Sequence, residues 1–353
     1  VLANKSCCGA VVTAFSVIGI VFTILKFTSF ASFVYKTFFA KGVKVRKLLY
    51  QSLDSALTSL LSVYGAKKGY WAVVTGATDG IGKEYATQLA MSGFNVVLIS
   101  RTQEKLDALA KELETVAKVK TRTIAIDYTK TTAETFEKLH QDLVGTPITV
   151  LINNVGQSHY MPTSFAETTV KEMDDIMHIN CFGTLHTTKA VLSIMLRERQ
   201  KNEKGPRCLI LTMGSFAGLL PSPYLSTYAG SKAFLSNWSA SLGEEVKKQG
   251  IDVWCFNSYL VVSAMSKVRR PTLTIPTPKK FVRAALSSIG LQRGGTNPYI
   301  SQPYPSHAVM SWSLEQLLGS AKGFVVSQVA AMHLSIRKRA LRKEARLQAQ
   351  NQA

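Results

Sequence analysis

Residues 70–86 read YWAVVTGATDGIGKEYA, an apolar run that passes directly into a glycine-rich turn and then into a helical pattern. Glycines at such a turn let the chain bend tightly and let the backbone approach a phosphate group. The start of the following helix offers free N–H groups and a partial positive charge, both of which favour an anion. The spacing of Gly76, Gly80 and Gly82 therefore predicts a dinucleotide site between a first parallel strand and its helix.

Further apolar runs follow along the chain, with helical patterns between them. The runs are Tyr70–Thr75, Asn95–Ser100, Thr121–Ile126, Ile148–Asn153, Cys208–Met213 and Ile251–Tyr259. Continuous apolar strands that alternate with helices indicate a parallel sheet covered on both faces. The sequence thus predicts a Rossmann-type, doubly wound α/β fold, which binds ligands at the carboxyl ends of its strands.

The N-terminal region has the character of a membrane segment. Cys7–Leu25 is uncharged and long enough to cross a hydrocarbon layer of roughly 30 Å as a helix. The chain stays mostly apolar to Ala40, and a basic run follows at Lys41, Lys44, Arg46 and Lys47. Basic residues after an apolar span favour a cytosolic position for that end. A cleaved signal peptide is the alternative, disfavoured by the length of the apolar stretch. Because the sequence begins at Val1, we expect some N-terminal residues to be missing.

The C-terminal region carries an apolar stretch and a basic tail. Residues 306–334 are mostly apolar but include Glu315 and Lys322, which fits either a membrane-associated helix or a segment packed on the core or a second subunit. The tail from residue 336 is basic and predicts contact with anionic lipid headgroups, or a solvated end. We therefore expect a membrane segment over 1–47, a linker over 48–68, the α/β domain over 69–300 and a C-terminal extension over 301–353.

Composition narrows the classes of partner. Lys and Arg number 42 against 22 Asp and Glu, a net charge of +20, which favours an anionic partner. No zinc finger, RNA-recognition motif or basic zipper is present, so a nucleic acid is disfavoured. The five cysteines include no C-x-x-C pair, so neither a disulfide framework nor a metal site is expected.

The end of the second predicted strand indicates which dinucleotide is bound. A fold that selects NAD usually places an acidic residue there for the ribose 2′-hydroxyl. This chain has Ser100 and then Arg101, whose planar guanidinium suits a phosphate. NADPH is therefore the expected cofactor. Asp127, after the third strand, is expected to accept a hydrogen bond from the adenine amino group.

A Tyr-x-x-x-Lys pair, Tyr228 and Lys232, opens a helical pattern after the strand that leads to Ser215. Residues four apart share a helical face, so both side chains can point into one cleft. A nearby ammonium favours a phenolate and is expected to lower the tyrosine pKa, which yields a general acid usable near pH 7. A second such pair, Tyr64 and Lys68, lies before the first strand and has no evident role.

These features together resemble the short-chain dehydrogenase/reductase family over about two thirds of the chain. The resemblance rests on the glycine turn, the NNVG motif at Asn153–Gly156, and the ordered residues Asn180, Ser215, Tyr228 and Lys232. It implies that the tyrosine protonates a carbonyl oxygen, the serine hydrogen-bonds it, the lysine holds the nicotinamide ribose and the asparagine anchors a water. The cofactor residues implied are Thr75, Gly76, Asp79, Gly80, Ile81, Gly82, Arg101, Asp127, Asn154, Tyr228, Lys232, Val261 and Ser263. Relatives carry Pro-Gly after the sixth strand where this chain has Ser258 and Tyr259, which puts the contacts of that loop in doubt.

Longer stretches such as LINNVGQSH and SKVRRPTLTIPTP look like the membrane-bound 3-oxoacyl-CoA reductases of fatty-acid elongation. That resemblance implies NADPH-dependent reduction of very-long-chain 3-oxoacyl-CoA at the endoplasmic reticulum membrane, with a cytosolic catalytic domain. It also implies the bilayer and the other elongation enzymes as partners (condensing enzyme, dehydratase and enoyl reductase) and a homodimer. The expected substrate residues are His159, Lys267, Arg269 and Arg270, the three cations facing the coenzyme A phosphates or, equally, solvent or lipid. A 17β-hydroxysteroid reductase and a non-catalytic NADPH-binding scaffold are the alternatives.

Overall fold

The apolar runs form one parallel sheet. The computed structural model describes residues 2–40, 61–295, 297–316 and 321–352. The strands within them are β1 Trp71–Thr75, β2 Asn95–Ser100, β3 Thr121–Ala125, β4 Ile148–Asn153, β5 Cys208–Ser215, β6 Ile251–Ser258 and β7 Ile300–Ser301. Their order is β3-β2-β1-β4-β5-β6-β7, and every neighbouring pair is parallel. The order reverses between β1 and β4, so a crevice opens at the carboxyl ends of these strands.

Helices cover both faces of this sheet. The α-helices of the described residues are α1 Leu2–Val34, α2 Gly80–Met91, α3 Gln103–Ala117, α4 Ala133–Leu143, α5 Val170–Met177, α6 Gly183–Lys201, α7 Ser226–Val246, α8 Pro278–Ser287, α9 Pro305–Gln316 and α10 Lys322–Gln352. Successive strand side chains point to opposite faces and enter two apolar clusters, Val74 in one and Val73 in the other. The predicted Rossmann-type fold is confirmed, and β4 is buried along its whole length, as the continuous apolar run requires.

Two expected domain boundaries differ from the structure. Residues 61–68, which the sequence assigned to a linker, pack into the sheet domain: Leu61 and Tyr64 are fully buried in the core. The Tyr64 hydroxyl donates to Asp252 at 2.9 Å while Lys68 is exposed, so the second Tyr-x-x-x-Lys pair is structural. At the other end, the two-residue strand β7 crosses the expected boundary at residue 300, because so short a strand leaves no periodic signal.

The N-terminal helix projects an apolar surface from the sheet domain. Among the residues that the structure describes, one helix is long and apolar enough to cross a membrane, Thr13–Phe39. The C-terminal end of this helix packs on α9, where the Phe33 ring stacks on Trp312 with the ring centroids 4.9 Å apart. The Arg293 guanidinium donates to the carbonyl oxygens of Lys36 and Ala40, which fixes the end of the helix on the domain. The basic run at 41–47 lies outside the described residues.

Candidate active site

The glycine turn is tightly packed at Gly76 and Gly82, where an added Cβ would meet Asn154. Gly76 has a φ of 64°, in the left-handed region that favours glycine. A Cβ at Gly82 would lie 2.0 Å from the Gly76 carbonyl oxygen and 2.4 Å from Asn154 Nδ2. Asp79 caps α2, its carboxylate accepting from the Gly80 amide at 2.7 Å. Bare backbone therefore leads from β1 into a helix N-terminus, the cradle that a pyrophosphate requires.

Thr75 and Asn154 tie the carboxyl ends of β1 and β4 together. The Thr75 hydroxyl accepts from the backbone amides of Asn154 and Val155 at 3.0 Å and 3.1 Å. In return the Asn154 side-chain amide donates to the Thr75 carbonyl oxygen at 3.0 Å. These bonds set the width of the crevice in which the predicted cofactor residues lie.

Arg101 and Asp127 follow β2 and β3, and Arg101 is near enough to influence the Asp127 carboxyl. Arg101 is exposed and immediately follows β2. Burial raises the pKa of Asp127, but hydrogen bonds from Thr129 and the positive charges of Arg101 and Lys130 outweigh it, so the net shift is downward. The Asp127 carboxylate already accepts from the Thr129 hydroxyl at 2.8 Å and from its amide at 3.1 Å. Arg101 thus offers a cation at the position expected for a 2′-phosphate.

The catalytic candidates converge where β5 meets α7. Ser215 ends β5, and its hydroxyl lies near enough to the Tyr228 phenol to affect the pKa of that phenol. Lys232 is buried one turn further along α7, with Nζ 5.8 Å from the centroid of the Tyr228 ring. Its ammonium donates to the carbonyl oxygen of Met213 on β5 at 2.8 Å. The structure therefore brings Ser215, Tyr228 and Lys232 to one place, as the spacing predicts.

The electrostatics of this trio differ from the expectation. Burial raises the pKa of Tyr228, and the nearby Ser215 hydroxyl only partly opposes this shift. Burial lowers the pKa of Lys232 to about 8, against smaller upward contributions from Cys255 and Cys181. The expected lowering of the tyrosine pKa by the lysine is absent in this arrangement, because removal of the phenol from water disfavours the phenolate. Tyr228 is held as the protonated acid.

Asn180 lies in a single turn of π-helix, His178–Phe182, between α5 and α6. Such turns are frequent at functional sites because they redirect side chains. Asn180 Oδ1 accepts from the backbone N–H of Gln157 at 2.8 Å. Asn180 Nδ2 donates to the backbone carbonyl oxygen of Gln157 at 2.9 Å and to Ser231 Oγ at 2.9 Å. A Cβ on Gly156 would lie 3.2 Å from Asn180 Oδ1 and 3.5 Å from Lys232 Nζ, so both polar groups border the same glycine.

His159 is buried beyond the NNVG motif. Its side chain is 1% exposed, and its Nδ1 lies 3.6 Å from the Glu172 carboxylate. Burial lowers the pKa of His159, opposed by Glu172, so the ring is neutral near pH 7. The structure encloses His159, and its expected role as a substrate residue stays a prediction.

The three cations expected at the substrate loop behave differently from one another. Lys267 donates to the Tyr160 carbonyl oxygen at 2.7 Å, and its ammonium lies 4.1 Å from the Tyr160 ring centroid. It is already engaged within the protein. Arg269 and Arg270 are exposed, which fits either a polyanionic ligand or solvent.

The loop after β6 reaches back to the glycine turn. Ser263 Cβ is 3.6 Å from where a Cβ on Gly80 would stand. Val261 is buried, and it packs in the same apolar cluster against which Ile81 lies. The apolar side chains of Val261 and Ile81 therefore face the protein interior, and Ser263 is the polar group of this set nearest the turn.

Sequence reasoning missed His307, a fully buried residue of α9. Its Nδ1 accepts from the Tyr259 amide at 3.3 Å and its Nε2 donates to the Thr274 carbonyl at 2.9 Å. Burial lowers the pKa of His307 to about 4, so the ring is the neutral tautomer that these two bonds need. His307 thus clamps both ends of the loop that departs from the Pro-Gly pattern. The replacement of Pro-Gly by Ser258 and Tyr259 was the one feature of the sequence that pointed to this loop.

The arrangement can transfer a proton to a carbonyl oxygen beside a bound dinucleotide. A protonated phenol, a serine hydroxyl and a buried ammonium lie at the carboxyl edge of the sheet, near the glycine cradle. A group that donates from a fixed position needs no reorganisation as charge develops on the oxygen.

Comparison with known proteins agrees with this geometry. Residues 70–274 match the family model for short chain dehydrogenase. The chain is 96% identical over 353 residues to a very-long-chain 3-oxoacyl-CoA reductase of Schizosaccharomyces pombe, covering 100% of this chain and 99% of the relative. It is 53% identical over 291 residues to a protein of the same name from Scheffersomyces stipitis, covering 82% of this chain and 84% of the relative.

Solved structures share the fold at low sequence identity. A 7beta-hydroxysteroid dehydrogenase aligns with a TM-score of 0.60 and 19% identity, over 71% of this chain and 93% of that one. A short-chain dehydrogenase from Sphingobium yanoikuyae, in complex with NADPH, aligns with a TM-score of 0.58 and 23% identity, over 72% of this chain and 95% of that one. The two alignments leave 29% and 28% of this chain uncovered, and at such low identity they show the fold alone.

Proposed function

Because this chain belongs to the short chain dehydrogenase family, we propose that it reduces very-long-chain 3-oxoacyl-CoA to 3-hydroxyacyl-CoA. The observation that carries the proposal is the full-length identity of 96% to a reductase of that name. The convergence of Ser215, Tyr228 and Lys232 at the crevice supports the reaction type.

NADPH is the cofactor that the site fits best. The glycine cradle, in which a Cβ on Gly82 would collide with the Gly76 carbonyl, suits a pyrophosphate. Arg101 stands where a 2′-phosphate would need a cation, and an acidic residue for a free ribose hydroxyl is missing from the end of β2. Asn154 and Ser263 border the same cradle, and Lys232 is the candidate for the nicotinamide ribose.

In the proposed mechanism Tyr228 donates its phenolic proton to the carbonyl oxygen of the substrate. Its raised pKa keeps that proton in place until negative charge develops on the oxygen. Ser215 hydrogen-bonds the same oxygen and fixes its position. NADPH, when bound, supplies the hydride to the carbonyl carbon. Lys232, with a pKa of about 8, is mostly protonated at pH 7 and stabilises the phenolate left behind.

Asn180 has a positioning role in this proposal. Its three hydrogen bonds to Gln157 and Ser231 join the segment after β4 to the catalytic helix α7. That Asn180 also holds a water molecule that resupplies protons stays a prediction.

The proposed location is the endoplasmic reticulum membrane, with the sheet domain on the cytosolic side. The apolar helix Thr13–Phe39 supports membrane attachment, and the basic run that follows supports the orientation. A 3-oxoacyl thioester is the product of a condensation, and its 3-hydroxy product is the substrate of a dehydratase. We therefore propose the condensing enzyme, the dehydratase and the enoyl reductase as neighbours in the membrane, and a homodimer as the assembly.

The experiment is NADPH oxidation by the full chain in lipid vesicles, with a long 3-oxoacyl-CoA and separately with a 17-ketosteroid. We expect turnover of the acyl-CoA, and Tyr228→Phe should lower kcat by ~10³-fold because the proton donor is removed. Tyr64→Phe is the matched control, since Tyr64 bonds Asp252 away from the crevice. Turnover of the steroid alone would contradict the proposal, as would NADPH binding without turnover of either compound.

A further inference from the structure

The C-terminal helix α10 contacts two loops that flank the catalytic residues. Loop A, residues 159–167, follows the NNVG motif after β4. Loop B, residues 220–225, joins the Ser215 turn to the catalytic helix α7. Both loops lie on the carboxyl side of the sheet, where a parallel α/β fold binds its substrate.

Arg337 holds loop A through three acceptors. Its Nη1 donates to the Pro162 carbonyl oxygen at 2.9 Å and to Thr163 Oγ1 at 2.8 Å, and its Nη2 donates to the Glu167 carboxylate at 2.8 Å. The Arg337 side chain is 23% exposed, so these bonds are partly shielded from water. A planar guanidinium donates to these acceptors from two nitrogens at once, whereas a lysine has a single nitrogen to offer.

His333 lies one turn before Arg337 on the same face of α10 and holds loop B. It is buried, and its Nδ1 donates to the Pro223 carbonyl oxygen at 2.6 Å. The next residue, Tyr224, has a φ of 68°, a conformation that non-glycine residues adopt rarely. The Tyr224 carbonyl oxygen accepts from the Thr163 amide at 2.8 Å, so the two loops are also joined to each other.

Tyr160 provides a third meeting point. Glu344 of α10 lies near its hydroxyl and raises the tyrosine pKa. Lys267, from the loop after β6, places its ammonium 4.1 Å from the Tyr160 ring centroid. Tyr160 therefore links α10, loop A and the substrate loop after β6.

We propose that α10 forms the outer wall of the substrate site, with His333 and Arg337 as positioning residues that set the distance between loops A and B. The proposal rests on the proposed function, because it concerns the acyl-CoA that those loops flank. It assigns a role in substrate binding to a helix beyond the part of the chain that matches the family model, which ends at residue 274. The loops bear the substrate contacts and α10 acts through them.

The test compares Arg337→Ala with Arg339→Ala in the full chain reconstituted in lipid vesicles. Both variants remove one arginine from α10, but Arg339 is exposed and has no contact with either loop among the described residues. We expect Arg337→Ala to raise KM for the long 3-oxoacyl-CoA by ~10-fold, since misplaced loops lose substrate contacts. NADPH affinity, and kcat per NADPH-binding site, should stay within about 2-fold of the parent because the cradle lies elsewhere.

Two further variants keep the test decisive if Arg337→Ala folds poorly. Arg337→Lys retains the charge but not the fork and should raise KM less than the alanine variant does. Glu167→Gln, on the exposed end of the same contact, should raise it by about 2-fold. If α10 had only a structural role, Arg337→Ala would lower the amount of active enzyme and leave KM unchanged.

The outcomes separate this proposal from the one on which it rests. A parent enzyme that does not turn over the acyl-CoA would overturn the proposed function. Turnover by the parent, with the same KM for Arg337→Ala and Arg339→Ala, would overturn the role of α10 alone.

Discussion

At the level of a single residue, the buried ammonium of Lys232 lowers the stability of the folded protein. Its ordinary pKa is 10.5, and burial lowers it to about 8. Between these values the unfolded chain holds a proton that the folded chain has lost, so stability rises with pH in that window. Below pH 8 both states are protonated and the folded state carries a buried cation, which lowers the free energy of unfolding by about 3 kcal/mol.

Lys232→Met should therefore stabilise the protein while abolishing its activity. We expect the free energy of unfolding at pH 7 to rise by about 1–3 kcal/mol, the smaller value if loss of the bond to the Met213 carbonyl offsets part of the gain. The measurement is urea unfolding of the detergent-solubilised, ligand-free protein between pH 7 and pH 10. The gain should vanish toward pH 10. A variant that is less stable than the parent at every pH would show that the buried charge of Lys232 does not destabilise the protein.

Arg101→Asp tests the basis of cofactor selection. Arg101 is exposed at the end of β2, and its replacement removes the cation offered to a 2′-phosphate and adds a repelling charge. We expect the Kd of NADPH to rise by ~100-fold, while that of NADH changes little or falls. Fluorescence titration of both cofactors measures the ratio. The control is Lys105→Asp, which makes the same kind of charge change on the exposed surface of α3. Arg122→Asp would not serve, because Arg122 forms hydrogen bonds with Asp142 and Thr146.

At the scale of elements, the glycine turn and the catalytic helix contain glycines with opposite environments. A Cβ on Gly82 would meet the Gly76 carbonyl oxygen at 2.0 Å, which is backbone and cannot move aside cheaply. A Cβ on Gly230, in α7, would meet nothing within 4 Å. Alanine is therefore forbidden at one position and favourable at the other.

Gly82→Ala should destabilise the protein by about 3 kcal/mol and weaken NADPH binding by ~10-fold or more. Gly230→Ala, the matched control, should stabilise it by about 0.5–1 kcal/mol through helix propensity and leave NADPH binding unchanged. Thermal unfolding and cofactor titration of both variants test this pair. Equal behaviour of the two alanines would refute the tight packing of α2 on β1.

The elements also show where sequence reasoning reaches its limit. The strands β1, β2 and β4 begin or end within one residue of their predicted bounds, because buried parallel strands are continuous apolar runs. Between β4 and β5 the structure instead has two helices, α5 and α6, separated by the π-turn that holds Asn180. The π-turn changes the backbone hydrogen bonding over a single turn, which is too short to leave a periodic signal in the sequence.

At the scale of the whole molecule, Arg293 connects the membrane helix to the sheet domain. It is buried, and its guanidinium donates to the carbonyl oxygens of Lys36 at 2.8 Å, Ala40 at 3.1 Å and Pro303 at 3.1 Å. Carbonyls at the end of a helix carry partial negative charge, so a cation there is favourable. The orientation of α1 on the domain depends on this contact and on the Phe33–Trp312 stack.

Arg293→Met should lower the free energy of unfolding by about 2–4 kcal/mol, since three carbonyls lose a charged donor. It should also raise amide hydrogen exchange in α9, on which α1 docks. Lys280→Met, which removes an exposed cation from α8, is the control and should alter neither. Unchanged exchange in α9 for Arg293→Met would mean that the helix is held by its apolar contacts alone.

The sheet, the glycine cradle and the candidate reacting groups could all be predicted from the sequence alone. Those follow from local rules: the apolar period of strands, the spacing that puts Tyr228 and Lys232 on one helical face, and the bare backbone that a phosphate needs. The packing of the elements in three dimensions determines which groups are buried and which distant segments contact them. It enclosed His159, set the pKa shifts of Tyr228 and Lys232, engaged Lys267 with Tyr160, and laid His307, His333 and Arg337 of the C-terminal helices over the active-site loops. Burial and contacts across more than a hundred residues depend on how whole elements pack, and no local pattern in a single sequence encodes them.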